Sequence, residues 1–381
     1  MKGSRVEPWD SFTVREMRTA GYLLLMAVIT AAALLRLRRA RSLGDRRLVA
    51  EAIGLLLMVL GGAEASAFAF APTRDADDHL FFMHVRLLAY GLFGAVPLYL
   101  AGAALLLRQR MRALAWVSAA AAAATWLIAV DAFLIEPQWL ELHRVRLESA
   151  KVTRPVTIVV LSDIQTDEPG EWETRVLAQA MAENPDLVLL PGDYVHVEGD
   201  PARWDLHASR LRALIQESRL AGRLGTFAVQ GNVDPVGWER IFLGTGIVAT
   251  SERVRMELEE VSVTALSFGD SFDASLRLPR DEERFQIVFG HGPDFALGDV
   301  PADLLVAGHT HGGQVQLPWI GPLVKLSAVP RAWAAGVTSL PGGRTLVVSR
   351  GIGMERGNAP RLRFLCRPEL VVIRVEPRVA R

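Results

Sequence analysis

Two histidines on alternate positions behind a glycine, in Gly308-His309-Thr310-His311-Gly312-Gly313-Gln314-Val315, can each offer a ring nitrogen to a different metal ion. The run just before them, 303–307, reads as a buried strand, so both histidines fall where a strand ends and a loop opens, a usual place for metal ligands. Four more segments share this build. Leu161-Ser162-Asp163-Ile164-Gln165, Pro191-Gly192-Asp193-Tyr194-Val195-His196, Gln230-Gly231-Asn232-Val233-Asp234 and Phe289-Gly290-His291-Gly292-Pro293 each close an apolar, β-rich run, at 157–161, 187–190, 226–229 and 286–289. Five successive strands that each deliver Asp, Asn or His just past their end outline a dinuclear metal site.

Together these segments resemble the calcineurin-like metallophosphoesterases, whose pattern is D-x-H, G-D-x-x, G-N-H-[DE], G-H and G-H-x-H. The resemblance covers roughly residues 156–375. The His309–His311 run, with Val348-Ser349-Arg350-Gly351-Ile352-Gly353 and Cys366-Arg367-Pro368-Glu369, is similar to the membrane-associated branch of that superfamily. The resemblance implies an αββα sandwich with one metal held by Asp163, Asp193 and His311 and a second by Asp193, Asn232, His291 and His309. Asp193 would bridge the two, and Asp193, Asn232 and His291 are also the candidates for catalytic roles. Two divalent ions about 3.5–4 Å apart can clamp a phosphoryl group, lower the pKa of water towards neutrality and stabilise charge on the attacking and leaving oxygens. Mixed imidazole and carboxylate ligands suit Mn, Fe, Zn or Co better than Ca.

Two positions depart from the pattern. Gln165 stands where the family has the histidine of D-x-H, and Val233 where it has the histidine of G-N-H-[DE]. Gln can ligate through its amide oxygen, but it is a weaker donor than imidazole towards borderline metals. In the similar purple acid phosphatases, which also lack the first histidine, the residue three past the Asp of G-D-x-x-Y is a ligand; here that residue is His196. His196 is therefore a second candidate for the first pocket, or else a solvated loop histidine beside Glu198 and Asp200. Val233 cannot donate a proton to a leaving group, which matters most for an alkoxide and little for a phosphate. The superfamily's UDP-diacylglucosamine pyrophosphohydrolases, which also lack this histidine, cleave a diphosphate. Among the arginines, Arg350 is the candidate for a phosphate contact.

The first third of the chain is apolar. Residues 20–35, 49–70, 80–107 and 114–134 are candidate transmembrane helices against a bilayer core that requires about 20 residues. The first of these is short and followed at once by arginines, yet it lacks a convincing small-residue cleavage site and reads as a span. Alanine-rich runs such as 118–124 suit close helix packing in lipid. Glu64, Arg86 and Asp131 fall inside spans, so Arg86 is expected to lie near Asp131 or Glu64. The loop of Arg36, Arg38, Arg39, Arg41, Arg46 and Arg47 is basic, as is that of Arg108, Arg110 and Arg112, whereas Thr73-Arg74-Asp75-Ala76-Asp77-Asp78 is acidic. Basic loops stay in the cytoplasm, which puts the N-terminus and everything after the fourth span outside.

The division is therefore a transmembrane region over 1–136 and an α/β phosphoesterase domain over 137–381. The latter is long enough to bury a full core. A formal net charge of zero argues against a nucleic-acid partner. One cysteine, Cys366, excludes an intramolecular disulfide. Helical spacing recurs at 171–183 and 205–218, and Leu140, Leu142, Val145 and Leu147 suggest a strand that begins the domain. Pro318, Pro322, Pro330, Gly321 and Trp333 mark an irregular loop over the edge of the metal site. The sequence describes a membrane-anchored, metal-dependent hydrolase of a phosphodiester or diphosphate, in a lipid, envelope precursor or phosphorylated small molecule. The alternative is a catalytically silent metal-binding membrane scaffold or sensor.

Overall fold

The computed structural model describes residues 9–71 and 78–378, with side chains from residue 15 in the first helix and residue 81 in the third. The acidic loop from Thr73 to Asp77 lies outside the described residues. The chain divides into two compact units, Met1–Leu134 with Gly357–Arg361, and Ile135–Arg356 with Leu362–Arg381.

The first unit is helical: α1 (Trp9–Ala40), α2 (Asp45–Phe70), α3 (Asp78–Tyr90), α4 (Val96–Leu107) and α5 (Arg112–Val130). A π-helical turn, Gly91–Ala95, joins α3 to α4 as one span, and another, Asp131–Ile135, ends α5. Four stretches are long and apolar enough to cross a membrane: Arg15–Ala40, Asp45–Phe70, Phe81–Leu107 and Arg112–Gln138. Their outward faces expose Leu24, Leu57, Leu105 and Leu127 while Leu37, Leu48, Val59 and Leu87 are buried, so apolar residues occupy both faces. That pattern suits lipid rather than water as the solvent. Small residues let the helices approach. A side chain at Gly91 would run into the Tyr22 hydroxyl and Ala63, and on α5 the buried residues Ala115, Ser118 and Ala122 recur at helical spacing.

Two expectations need correction here. The first helix is not short: it runs on through Arg36, Arg38 and Arg39, because arginine is a good helix former and the run contains no breaker. The carboxylate that meets Arg86 is Glu16, 3.8 Å away, rather than Asp131 or Glu64. Arg86 also donates to the Tyr90 hydroxyl at 3.1 Å, and Glu64 pairs with His84 at 3.2 Å. The longer α1 explains this, since it brings Glu16 onto a span that the hydropathy reading began at residue 20.

The second unit is a pair of stacked sheets. Its strands are β1 (Glu141–Ser149), β2 (Val156–Val160), β3 (Leu187–Leu190), β4 (Gly225–Val229), β5 (Val248–Thr250), β6 (Val254–Leu258) and β7 (Val261–Ala265). They continue with β8 (Phe285–Phe289), β9 (Leu304–Ala307), the small hairpin β10 (Gln316–Leu317) and β11 (Gly321–Pro322), then β12 (Gly336–Leu340), β13 (Arg344–Val348) and β14 (Glu369–Pro377). One sheet has the order β1-β14-β2-β3-β4-β5 and the other β12-β13-β9-β8-β7-β6. The central strands β2, β3, β4 and β9, β8, β7 run parallel, so within each sheet their C-terminal ends share an edge.

Burial on both faces explains why these strands are near-continuous Val, Ile and Leu. Ile158, Val160, Leu189, Phe227, Ile287, Phe289 and Val306 fill the space between the sheets. The opposite faces of β2 and β3, through Val159 and Val188, pack on α6 (Glu171–Ala182) and α7 (Pro201–Ser218) by way of Leu177, Leu211 and Ile215. The outer face of the other sheet is covered by shorter pieces, including α8 (Phe268–Ser271) and the single turn of Asp294–Leu297. The fourth layer of the sandwich is therefore thin.

Candidate metal centre

Parallel strands deliver the polar residues to one edge. Asp163 and Gln165 follow β2, Asp193 follows β3, Asn232 follows β4, His291 follows β8, and His309 and His311 follow β9. The loops are tightly interlocked. The Asp163 N–H donates to the Gly192 carbonyl at 3.1 Å and that of Gln165 to the Asp193 carbonyl at 2.8 Å. A side chain at Gly231 would collide with the Asp193 carboxylate, and one at Gly308 with Ser162 and Asp163. Five of the site's residues hold a left-handed backbone: Asp163 (φ 50°), Gln165 (37°), Asp193 (59°), His309 (68°) and His311 (48°). Such conformations are costly away from glycine and mark positions that the surroundings over-determine.

Two pockets form around Asp193. In the first, ligand atoms of Asp163, Asp193 and His311 all lie within 4.8 Å of one another, and all three residues are buried. Here His311 Nε2 is 3.6 Å from Asp163 Oδ1. In the second, Asn232 Oδ1 lies 2.8 Å from His291 Nε2 and 2.9 Å from His309 Nδ1, the two ring nitrogens are 3.2 Å apart, and Asp193 Oδ2 is 3.4 Å from His291 Nε2. Atoms that each bind an ion at about 2.0–2.2 Å sit no more than about 4.4 Å apart, a limit met by the second pocket's pairs and by His311–Asp163 in the first.

Hydrogen bonding indicates which groups want a cation. His291 Nδ1 donates to the Pro191 carbonyl at 2.8 Å, and burial, with His309 beside it, pushes the His291 pKa well below its usual value. The ring is thus neutral and Nε2 carries a lone pair. In the neutral His309 ring, Nε2 donates to the Leu326 carbonyl at 2.9 Å and leaves the lone pair on Nδ1. Both lone pairs face the Asn232 amide oxygen, an arrangement that a cation resolves. In the first pocket both ring nitrogens of His311 and the Oε1 of Gln165 are buried without a hydrogen-bond partner among the described residues. Burial also pushes His311 well below the usual imidazole range, with Arg363 adding to it.

The carboxylates tell the same story from the other side. Burial raises Asp163 to about 7, although Ser162 and the His309 N–H, 3.0 Å from Oδ1, work against it. Asp193 is pushed well above the usual range by burial and then by the charges of Asp234 and Asp163. A divalent ion would relieve both, since it favours the charged form. The residues therefore fit a pair of divalent ions.

Other sequence expectations fare differently. His196 stands behind Gln165: its Nδ1 is 3.1 Å from Gln165 Nε2, and it is not among the residues that converge on His311. Arg350 is engaged with Glu369 through Nε at 2.8 Å and Nη2 at 2.7 Å, and with Glu141 at 3.1 Å, so it is a bracing residue and not a phosphate contact. Arg363 is fully buried and donates to carbonyls of Gly353, Cys366, Arg350 and Gly351. Cys366 is packed.

Two residues escaped the sequence reading. Asp234 accepts from the N–H groups of Asp193 and Gly231 at 2.8 Å and of Tyr194 at 2.9 Å, tying the two loops together. Its signal was available, as the acidic end of the motif that begins Gly231-Asn232. Glu355, nearly buried, sits beside His311 and Gln165. Burial raises its pKa, opposed by His196 and the Gln165 amide.

The comparisons agree with this geometry. The family model for calcineurin-like phosphoesterases matches residues 156–313. The chain is 31% identical over 255 residues to the phosphodiesterase YaeI of Escherichia coli (strain K12), covering 62% of this chain and 89% of that protein. It is 30% identical over 258 residues to the metallophosphoesterase YkuE of Bacillus subtilis (strain 168), covering 62% and 86%. A shorter stretch of 96 residues is 36% identical to the UDP-2,3-diacylglucosamine pyrophosphatase LpxG of Chlamydia muridarum (strain MoPn / Nigg), covering 23% of this chain and 28% of that one. The chain belongs to the calcineurin-like metallophosphoesterases and is a metal-dependent hydrolase of phosphoric esters or diphosphates.

Proposed function

We propose that this chain is a membrane-anchored hydrolase with a dinuclear centre, acting outside the cytoplasm on a diphosphate or phosphodiester in a lipid or envelope precursor. Two divalent ions at such a centre supply charge neutralisation on phosphoryl oxygens and a water of near-neutral pKa. Asp163, Asp193, Gln165 and His311 would hold one ion, and Asp193, Asn232, His291 and His309 the other. Asp193 would bridge the two, a role supported by the Val233 N–H, which donates to its Oδ1 at 2.9 Å.

The observation that carries the substrate class is Val233. Its side chain offers no proton to a departing oxygen, and the Nε2 proton of a neutral His309 is taken by Leu326. A leaving group that departs without protonation is favoured, and a phosphate does so far more readily than an alkoxide. Apolar surface beside the second pocket supports a lipid. Phe272 meets the His309 ring edge-on at 4.9 Å and Phe268 stacks near His291 at 6.5 Å. The loop whose Leu326 touches His309 also carries Trp319, 102% exposed, and Ile320. Exposed apolar side chains gathered near a polar centre mark interaction sites more often than chance decoration.

The test is a panel on full-length protein in detergent with Mn²⁺: lipid diphosphates, nucleotide diphosphate lipids and a generic aryl phosphodiester. Lipid diphosphates should be turned over fastest. Equal rates on water-soluble diesters reject the lipid class, and no turnover of any substrate supports a silent scaffold instead. A reporter active only outside the cytoplasm, fused after Arg381, should be active; a dark reporter there rejects the orientation, which rests on the basic loops.

A further inference from the structure

We infer that Glu355 is a ligand of the first metal pocket and, with Gln165, stands in for the histidine that the D-x-H motif would supply. The inference deepens the dinuclear reading and rests on it. Glu355 lies on the loop after β13, far in sequence from the five motifs, and its placement is built. Its N–H donates to Gln314 Oε1 at 2.8 Å, which ties it to the turn that carries His311. Oε1 accepts from Gln165 Nε2 at 3.1 Å, and Oε2 is 3.7 Å from His311 Nε2. The same nitrogen is 3.6 Å from Asp163 Oδ1. The imidazole nitrogen is flanked by two carboxylate oxygens at nearly equal separation, without a hydrogen bond to either. Glu355 stands just outside the tight cluster of Asp163, Asp193 and His311, and a small inward turn of its side chain would let one ion be shared.

Gln165 has a defined part in this arrangement. Its Nε2 is 3.1 Å both from Glu355 Oε1 and from His196 Nδ1, and the carboxylate acceptor fixes which end of the amide carries the nitrogen. That leaves Oε1, buried and without a partner, as the donor atom for an ion. His196 then acts as a positioning residue for the amide. The resulting pocket would present oxygens of Asp163, Asp193, Gln165 and Glu355 with the single nitrogen of His311. Three carboxylates and an amide oxygen form a harder ligand set than that of the second pocket, with its two imidazoles. The first pocket should therefore favour an oxygen-loving ion such as Mn²⁺ or Mg²⁺ over Zn²⁺.

The experiment uses full-length, metal-stripped protein in detergent, titrated with Mn²⁺ by calorimetry and by counting bound ions. Wild type should take up two Mn²⁺ per chain. Glu355→Gln keeps the volume and the acceptor for Gln165 but removes the charge, and should weaken one of the two sites by about 100-fold while leaving the other within twofold. Gln165→His in the Glu355→Gln background should restore the lost site and raise its preference for Zn²⁺. Two sites that both stay within twofold of wild type in Glu355→Gln overturn the inference and leave Glu355 a structural acceptor. The thermal midpoint of the metal-free variant, expected to match wild type, separates lost ligation from lost folding; should it fall, Glu355→Asp, which keeps the charge, must retain two-site binding or the inference fails. Wild type that binds fewer than two Mn²⁺ overturns the dinuclear reading itself, a failure distinct from that of Glu355.

Discussion

On one side of Asp193 two imidazole nitrogens and an amide oxygen crowd to within 3.2 Å of one another; on the other a single imidazole faces Asp163, 3.6 Å from its Nε2, with Gln165 and Glu355 behind. The nitrogen-rich pocket keeps every ligand that the family pattern requires, and its atoms are almost at coordination spacing. The oxygen-rich one has lost an imidazole and gathers its oxygens more loosely. In the proposed centre a shared carboxylate joins two sites whose chemical hardness differs, an asymmetry that suits two ions doing different work.

The severest way to break the comparison is to remove what the pockets share. Asp193→Asn should cost both ions their common carboxylate and lower kcat/KM by about 10³-fold or more, equivalent to several kcal/mol of transition-state stabilisation. Hydrolysis at the wild-type level in that variant would mean that the two pockets do not work as a unit. Asp234→Asn tests the frame that holds them together. It weakens the acceptor for the N–H groups of Asp193, Tyr194 and Gly231, and metal affinity should fall by about 10–100-fold in both pockets alike. A loss confined to one pocket would show that the pockets are braced separately.

Proton linkage sharpens the contrast. With Asp163 raised to about 7 and Asp193 also pushed well above the usual carboxylate range by burial, an ion entering the first pocket must displace protons held there, whereas His291 and His311 are already neutral and release none. Affinity should therefore rise with pH, about tenfold per pH unit for each proton displaced, with the steeper portion below pH 7 where Asp163 still holds its proton. A flat Mn²⁺ isotherm between pH 6 and 8 would contradict it. The smallest effect is expected at the leaving group. Val233→His should raise turnover of alkoxide-leaving diesters by about tenfold and leave diphosphates within twofold, because only the former require a proton. Equal gains on both would undo the argument from Val233.

The strand-end motifs were legible because a parallel sheet forces its ligands to one edge, and sequence records which residue follows each apolar run. Asp163, Asp193, Asn232, His291, His309 and His311 all fall at that edge. Glu355 was not legible, since it comes from a loop with no motif of its own and reaches the pocket only through long-range folding. Nor was the left-handed backbone of Asp163, Asp193 or His309, which tertiary contacts impose against local preference. The opening strand shows a subtler case. Leu140 and Leu142 are even-numbered while Val145 and Leu147 are odd, so in a strand of period two they point to opposite faces: Leu142 packs towards α6 and α7, and Val145 and Leu147 towards the space between the sheets. This strand therefore feeds both cores, which the bare expectation of a strand does not reveal.

One feature of the sheet order bears on how the molecule is made. β14 lies between β1 and β2, paired in parallel from Glu141↔Glu369 to Ser149↔Pro377 on one side and antiparallel from Val371↔Val160 to Val375↔Val156 on the other. A ribosome delivers chain from the N-terminus, so every proposed metal ligand and thirteen of the fourteen described strands emerge while that slot is still empty. During this interval β1 has no neighbour in its sheet and β2 presents a bare, apolar edge, the kind of surface that pairs with the wrong partner. Chains cut short before Glu369 should accumulate as aggregates with their ligands intact in sequence, and arrival of β14 becomes the step that closes the sheet beneath the metal centre.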